Sequence, residues 1–144
     1  AGMDLGGAMI YFAYGSNLNK RQMSVRCPKA KALGAGYLTG WRLVFRGVAD
    51  IEENHTDPTV MLPVGFWEIT EDCLKSLDFY EGYPRLYRRV NINGMMTYRM
   101  NSSGYAAPHE SYFDAIRQGY HDFGLDESEL YHAQDWADEL DEVM

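Results

Sequence analysis

The stretch from Met9 to Leu18 constrains this chain more than any other. Met9-Ile10-Tyr11-Phe12-Ala13 is an unbroken apolar run rich in strand formers, as expected of a buried strand. It runs into Gly15-Ser16-Asn17, and Asn19-Lys20-Arg21-Gln22 then opens a helix. Asn19 suits the N-cap, with Gln22 three places later at the spacing of a reciprocal capping box. A strand that bends sharply into a helix leaves several backbone N–H groups unpaired and pointing one way. With the positive end of the helix dipole, such a nest favours an anion. The bend has one glycine and no lysine-serine pair, so carboxylate is as good a candidate as phosphate.

The rest of the chain alternates strand and helix signals without a strict β-α-β rhythm. The first helix runs from Asn19 to about Arg26 and is ended by Pro28. Strands are predicted over 31–38 and 41–46, a polar loop from Ala49 to Pro58, and a strand over Thr59–Ile69. Thr70 then caps a helix with Glu71 and Asp72 in its first turn and Gly82 as its stop, which places Glu81 at the helix end. Leu86–Ile92 and Met95–Met100 flank Asn93-Gly94, a hairpin turn signature. From Pro108 or His109, Tyr112, Phe113, Ile116 and Tyr120 recur at helical spacing until Gly124. Asp126 with Glu129 resembles a second capping box, and Leu130, Ala133, Trp136 and Leu140 form the stripe of a last helix. Strands early and in the middle, with helices gathered at the end, make an α+β pattern.

Bulk properties exclude several function classes. The 144 residues, 46% hydrophobic and 24% charged, suit one domain over 9–144 with a real core. Residues 1–8 read as a cloning remnant or a frayed tail, with Met9 as the native start. A net charge of −8 without a basic cluster argues against nucleic acid or an anionic membrane as partner. No apolar run reaches the length of a membrane span. Cys27 and Cys73 are too few for a disulfide framework or a cysteine zinc site and suit reduced thiols in a cytoplasmic protein. His55, His109, His121 and His132 show no close metal-ligand pairing.

Three segments together point to a family. Tyr14-Gly15-Ser16-Asn17 after an apolar strand resembles the opening signature of the γ-glutamylcyclotransferase family, the group that includes the avirulence-induced proteins of plants. Leu77-Asp78-Phe79-Tyr80-Glu81-Gly82, followed by Tyr87-Arg88, resembles the segment that carries the family's catalytic glutamate, which falls on Glu81. Thr97-Tyr98-Arg99-Met100 through Pro108 and Tyr112 is the third match, and Tyr112 resembles a pocket tyrosine. The resemblance spans residues 9 to about 140 and implies a small mixed β-barrel with helices packed around it and the active site in its mouth. From Ser111 to Gly124 the chain looks more like γ-glutamylcyclotransferase proper than like the glutathione-specific or γ-glutamylamine branches. The acidic loop from Ala49 to Pro58 is compact beside its equivalents in animal enzymes, so the leaving-group preference is not carried over.

The activity that the resemblance implies is cleavage of a γ-glutamyl amide by its own α-amine, giving pyroglutamate (5-oxoproline) and a free amino acid or amine. It needs no metal or other cofactor, because nucleophile and electrophile are already tethered and the protein has chiefly to orient them and move protons. Glu81 is expected to be the general base and acid, with a pKa raised by the helix C-terminus and by partial burial. The N–H groups of Gly15, Ser16 and Asn17 and the Ser16 hydroxyl are expected to hold the substrate's α-carboxylate. Tyr14 and Tyr112, with Tyr98 and Tyr105, are candidates for the pocket wall, and a loop N–H or a tyrosine hydroxyl for the developing oxyanion. Ser16 has no legible histidine to activate it as a nucleophile. Structural roles stand beside these readings: Asn17 bonding the backbone around its turn, and Arg88 pairing with an acidic neighbour. Two other functions stay open, a non-catalytic module that binds a small amino acid-like ligand and an interaction domain built on the acidic helix from Asp126 to Glu142. A homodimer also stays open.

Overall fold

The computed structural model describes residues 9–54, 56–57 and 59–143. The expectations for the tail 1–8, for His55 and for Pro58 fall outside the described residues. Strand β1 (Met9–Ala13) lies between β5 (Met61–Ile69), to which it is antiparallel, and β7 (Met95–Met100), to which it is parallel. That central position explains the unbroken apolar run: Tyr11, Phe12 and Ala13 are all buried. The five-stranded sheet is completed by β2 (Lys31–Thr39) outside β5 and by β6 (Tyr87–Ile92) outside β7. Strands β3 (Trp41–Arg46) and β4 (Val48–Glu53) form a separate antiparallel hairpin. Four helices complete the α+β fold: α1 (Lys20–Arg26), α2 (Glu71–Glu81), α3 (Glu110–Phe123) and α4 (Ser128–Val143).

Two expectations are corrected. The sheet is not closed, so the expected barrel gives way to an open sheet with β2 and β6 at its edges and a hairpin against it. The physical reason is visible at Asp50 in β4. Its carboxylate accepts the backbone N–H of Met100 at 2.9 Å, a side-chain bond between the sheets in place of a backbone ladder. The same residue corrects the polar loop: Val48–Glu53 is a strand, with Ala49, Asp50 and Ile51 buried. Two of the acids that looked like loop share one cation, Arg46, which donates to Asp50 at 2.8 Å and to Glu52 at 2.9 Å.

Local signals decide most boundaries. Asn93 and Gly94 both take positive φ, 53° and 80°, the geometry of a primed hairpin turn. Gly82 closes α2 in the left-handed region with φ 66°, and Gly124 closes α3 likewise. Thr70 caps α2 by accepting the Cys73 N–H, and His109 caps α3 through the Ser111 N–H. The capping box at α1 is only half formed. Asn19 Oδ1 accepts the Gln22 N–H, but the Gln22 side chain turns instead to Arg26. Arg88 bonds the Met100 carbonyl rather than an acid; its neighbour Arg89 takes the ion pair, with Asp78.

The bend after β1 is lodged against α3. Ser16–Leu18 form a single 3₁₀ turn, and Asn19 reaches across to donate to the Ala115 carbonyl at 3.1 Å. Gly119 permits the approach, because a Cβ there would sit 2.6 Å from backbone atoms of Leu18 and Asn19. Gly119→Ala must therefore push α3 off the bend. Overpacking of this kind costs roughly 1–3 kcal/mol, and thermal unfolding should move down by about 2–12 °C at roughly 2–4 °C per kcal/mol. An unchanged melting temperature would show that the helix and the bend are not in contact.

Candidate active site

The bend, the end of α2 and the start of α3 face one cavity of about 530 Å³, counted with its open mouth. Most of the residues expected at the site line it: Tyr14, Gly15, Ser16, Asn17, Glu81, Tyr98 and Tyr112. Glu81 is the last residue of α2, and the left-handed turn at Gly82 leads the chain away behind it. Burial pushes its carboxyl from the ordinary carboxylate range up to about 7, against the opposing pull of Arg26 and of the Asn17 amide. Burial is thus the leading cause of the shift.

Asn17 departs from the expected backbone role. Its amide nitrogen donates to Glu81 Oε1 at 3.1 Å and to the Tyr11 hydroxyl at 2.9 Å, while its carbonyl oxygen accepts from Arg26 at 2.7 Å. The backbone carbonyl of Asn17 is held by the Trp67 indole N–H at 3.0 Å. Leu18 and Asn19 donate their N–H groups to Gly15 and Ser16. Among the described residues, no hydrogen bond takes up the N–H of Gly15, Ser16 or Asn17. The Ser16 hydroxyl lies 3.1 Å from that of Tyr80, and among the described residues no histidine bonds it.

The tyrosines of the wall divide by where their hydroxyl hydrogens go. Tyr14 donates to the Tyr98 carbonyl, Tyr87 to the Ala49 carbonyl and Tyr98 to Asp78, all at 2.6 Å. Those protons are spent on the scaffold. Tyr112 instead accepts the Ala49 N–H at 3.0 Å, and Tyr11 accepts from Asn17, so each keeps a hydrogen to donate. Burial raises the pKa of all five phenols above the usual tyrosine range, so they stay neutral donors at pH 7. Tyr105, a sequence candidate, is not among them; it bonds Glu52 and packs on Trp136.

Tyr11, Tyr87, Val48 and Ala49 also line the cavity, and sequence reasoning missed them. Tyr11 was one apolar residue in a strand, and Val48 and Ala49 stood at the edge of the supposed loop. Both cysteines are buried free thiols, and burial lifts that of Cys27 to about 12, which makes it inert. Among the described residues, no group of three His, Cys, Asp or Glu is placed to hold a metal ion, and no helix is long and apolar enough to cross a membrane.

With this geometry in hand, the family is decided by a match over residues 11–137 to the model described as gamma-glutamyl cyclotransferase, AIG2-like. The chain belongs to that family. Similar solved structures include a gamma-glutamyl cyclotransferase, with TM-score 0.72 and 22% identity over 92% of this chain and 88% of that one. An uncharacterized protein from Homo sapiens is similar with TM-score 0.69 and 23% identity, over 94% and 87% of the two chains. YkqA from Bacillus subtilis is similar with TM-score 0.73 and 19% identity, over 92% of this chain but 55% of that one. Among curated proteins, none matches. The membership supports a cyclotransferase-type function, and identities this low make the structural likenesses a statement about fold alone.

The raised carboxyl has a consequence for stability. The folded state holds the Glu81 proton up to about pH 7, whereas the unfolded chain releases it near 4.5. Stability is thus fully present below the lower value and falls as pH rises from there through 7, by up to about 3.5 kcal/mol at ~1.4 kcal/mol per unit. Glu81→Gln removes the titration, so its melting temperature should gain on that of the native chain between pH 5 and pH 8.5. A gap that stays constant across that range would contradict the burial of the carboxyl.

Proposed function

We propose that the protein is a γ-glutamyl cyclotransferase that converts a γ-glutamyl amino acid or amine to 5-oxoproline, with Glu81 as its proton shuttle. The observation that carries this reading is a carboxyl at about 7 sharing a cavity with a bend at which, among the described residues, the N–H groups of Gly15, Ser16 and Asn17 make no hydrogen bond. An acid poised there can both accept and return a proton at neutral pH.

In this mechanism the N–H groups of Gly15, Ser16 and Asn17 hold the α-carboxylate, which orients the substrate's α-nitrogen toward Glu81. The Glu81 carboxylate takes a proton from the α-ammonium, and the freed amine attacks the γ-carbonyl carbon. The new C–N bond closes the five-membered ring and places negative charge on the carbonyl oxygen. Tyr112, with a hydroxyl hydrogen left to donate, stabilises that oxygen. Collapse then breaks the bond to the leaving nitrogen. That nitrogen takes up the proton held by Glu81 and the second proton shed by the attacking amine, and departs as an ammonium. Glu81 is a carboxylate again, and no bond to the protein has formed.

The test is a panel of γ-glutamyl dipeptides and γ-glutamyl amines assayed for 5-oxoproline. The native protein should release it from some members, with kcat/KM rising through about pH 7 as Glu81 ionises. Glu81→Gln should lose roughly 10²–10⁴ in kcat, the usual contribution of a general acid–base group. Equal turnover by the two proteins would remove Glu81 from the mechanism. Stabilisation by the panel without turnover would make the cavity a binding site only. Tyr112→Phe should lower kcat roughly 10²-fold or more, the scale of one oxyanion donor, and a kcat equal to the native value would assign the oxyanion elsewhere.

A further inference from the structure

Arg26 stands outside every segment that carries the family resemblance, yet its guanidinium is committed in three directions. One arm donates to Asn17 Oδ1 and the other to the Gln22 side chain, both at 2.7 Å, and Cζ lies 3.6 Å from the centre of the Tyr80 ring. These contacts fix the guanidinium between α1, the bend and α2, one residue before Glu81. Asn17 then carries the constraint onward. Its oxygen faces a cation and its nitrogen faces the Glu81 carboxyl, so only one of the two amide orientations fits.

We propose that Arg26 is a positioning residue: acting through the Asn17 side chain, it orients the Glu81 carboxylate toward the cavity and serves as its partial counter-charge. The inference rests on the reading of Glu81 as the proton shuttle. A cation on the amide oxygen polarises the amide N–H groups, and a polarised donor binds an anion more strongly than a neutral acid. A planar two-armed donor suits this geometry better than a point charge, because one arm must hold Asn17 while the other is braced on Gln22.

The surroundings leave this task to Arg26. The titratable groups facing Glu81 from the other elements are phenols: Tyr11 on β1, Tyr14 in the bend, Tyr87 on β6, Tyr98 on β7 and Tyr112 on α3. All stay neutral at pH 7. Tyr80 on α2 is held between Arg26 and Ser16. Asp50 on β4 is paired with Arg46. Among the described residues Arg26 is the cation that acts on Glu81, and it opposes the effect of burial.

The experiment is a carboxyl-carbon NMR titration of Glu81 in the native protein, Arg26→Gln and Arg26→Lys, with Glu81→Gln identifying the resonance. It requires no turnover, so it succeeds or fails independently of the cyclotransferase reading, which the substrate panel tests. The expected result is a Glu81 midpoint about one unit higher in Arg26→Gln, with Arg26→Lys in between. If the panel yields a substrate, the rising limb of kcat/KM shifts by the same amount, a loss of about tenfold on its acid side that is recovered at high pH. An Arg26→Gln midpoint within about 0.3 unit of the native one overturns the proposal. Should Arg26→Gln not fold, Arg26→Lys decides, and a midpoint equal to the native one overturns the proposal in the same way. An activity loss uniform across pH would equally reduce Arg26 to a structural residue.

Discussion

The side-chain amide of Asn17 is the point at which the fold and the cavity meet. A primary amide offers two donors and an acceptor, and here all are engaged, by Glu81, Tyr11 and Arg26. Burial makes that satisfaction necessary, since an unpaired amide inside a protein costs about 1–3 kcal/mol. The backbone at the same residue is anchored by Trp67 from β5, and the next residue but one is tied to α3. Strand, sheet neighbour and two helices therefore agree on one conformation for the bend. Its unused N–H groups can face the cavity because everything behind them is already paired.

The electrostatics follow from that arrangement. A chain with net charge −8 has little long-range attraction for an anionic ligand, so recognition must be local. In the proposed mechanism, backbone dipoles at the bend would supply it without a cation lining the pocket. The same low-dielectric surroundings that raise the Glu81 carboxyl strengthen each hydrogen bond around it. The scaffold uses the hydrogens of Tyr14, Tyr87 and Tyr98 for its own carbonyls and carboxylate, which leaves a short inventory of donors inside.

Much of this was legible from sequence because it is local. The bend, the helix ending at Glu81, the Asn93-Gly94 hairpin and the stop at Gly124 are each specified by residues within a few positions of one another. What was missed is set by partners far along the chain. Asp50 and Glu52 looked like loop because their neutralisation depends on Arg46 across the hairpin and on Met100 fifty residues away. The expected barrel failed at the same place, since a side chain bridges the sheets where backbone pairing would have closed them. Arg26 looked like an ordinary polar residue on a short helix, and only packing reveals that it faces the amide of Asn17. Gln22 shows the reverse case, a local motif half undone because a stronger, charged partner lay one helical turn onward.

Helix α3 carries both Tyr112 and Gly119, two turns apart on the face that meets the bend. The position of Tyr112 in the cavity wall is consequently coupled to the close contact between Gly119 and the bend. Two other lining residues are placed differently: Val48 begins β4 and the exposed Leu86 precedes β6, and neither takes part in that contact. For the ligand proposed above, the wall around Val48 and Leu86 can therefore change without disturbing the bend, whereas a bulkier residue at 119 displaces the bend and the helix that carries Tyr112 together.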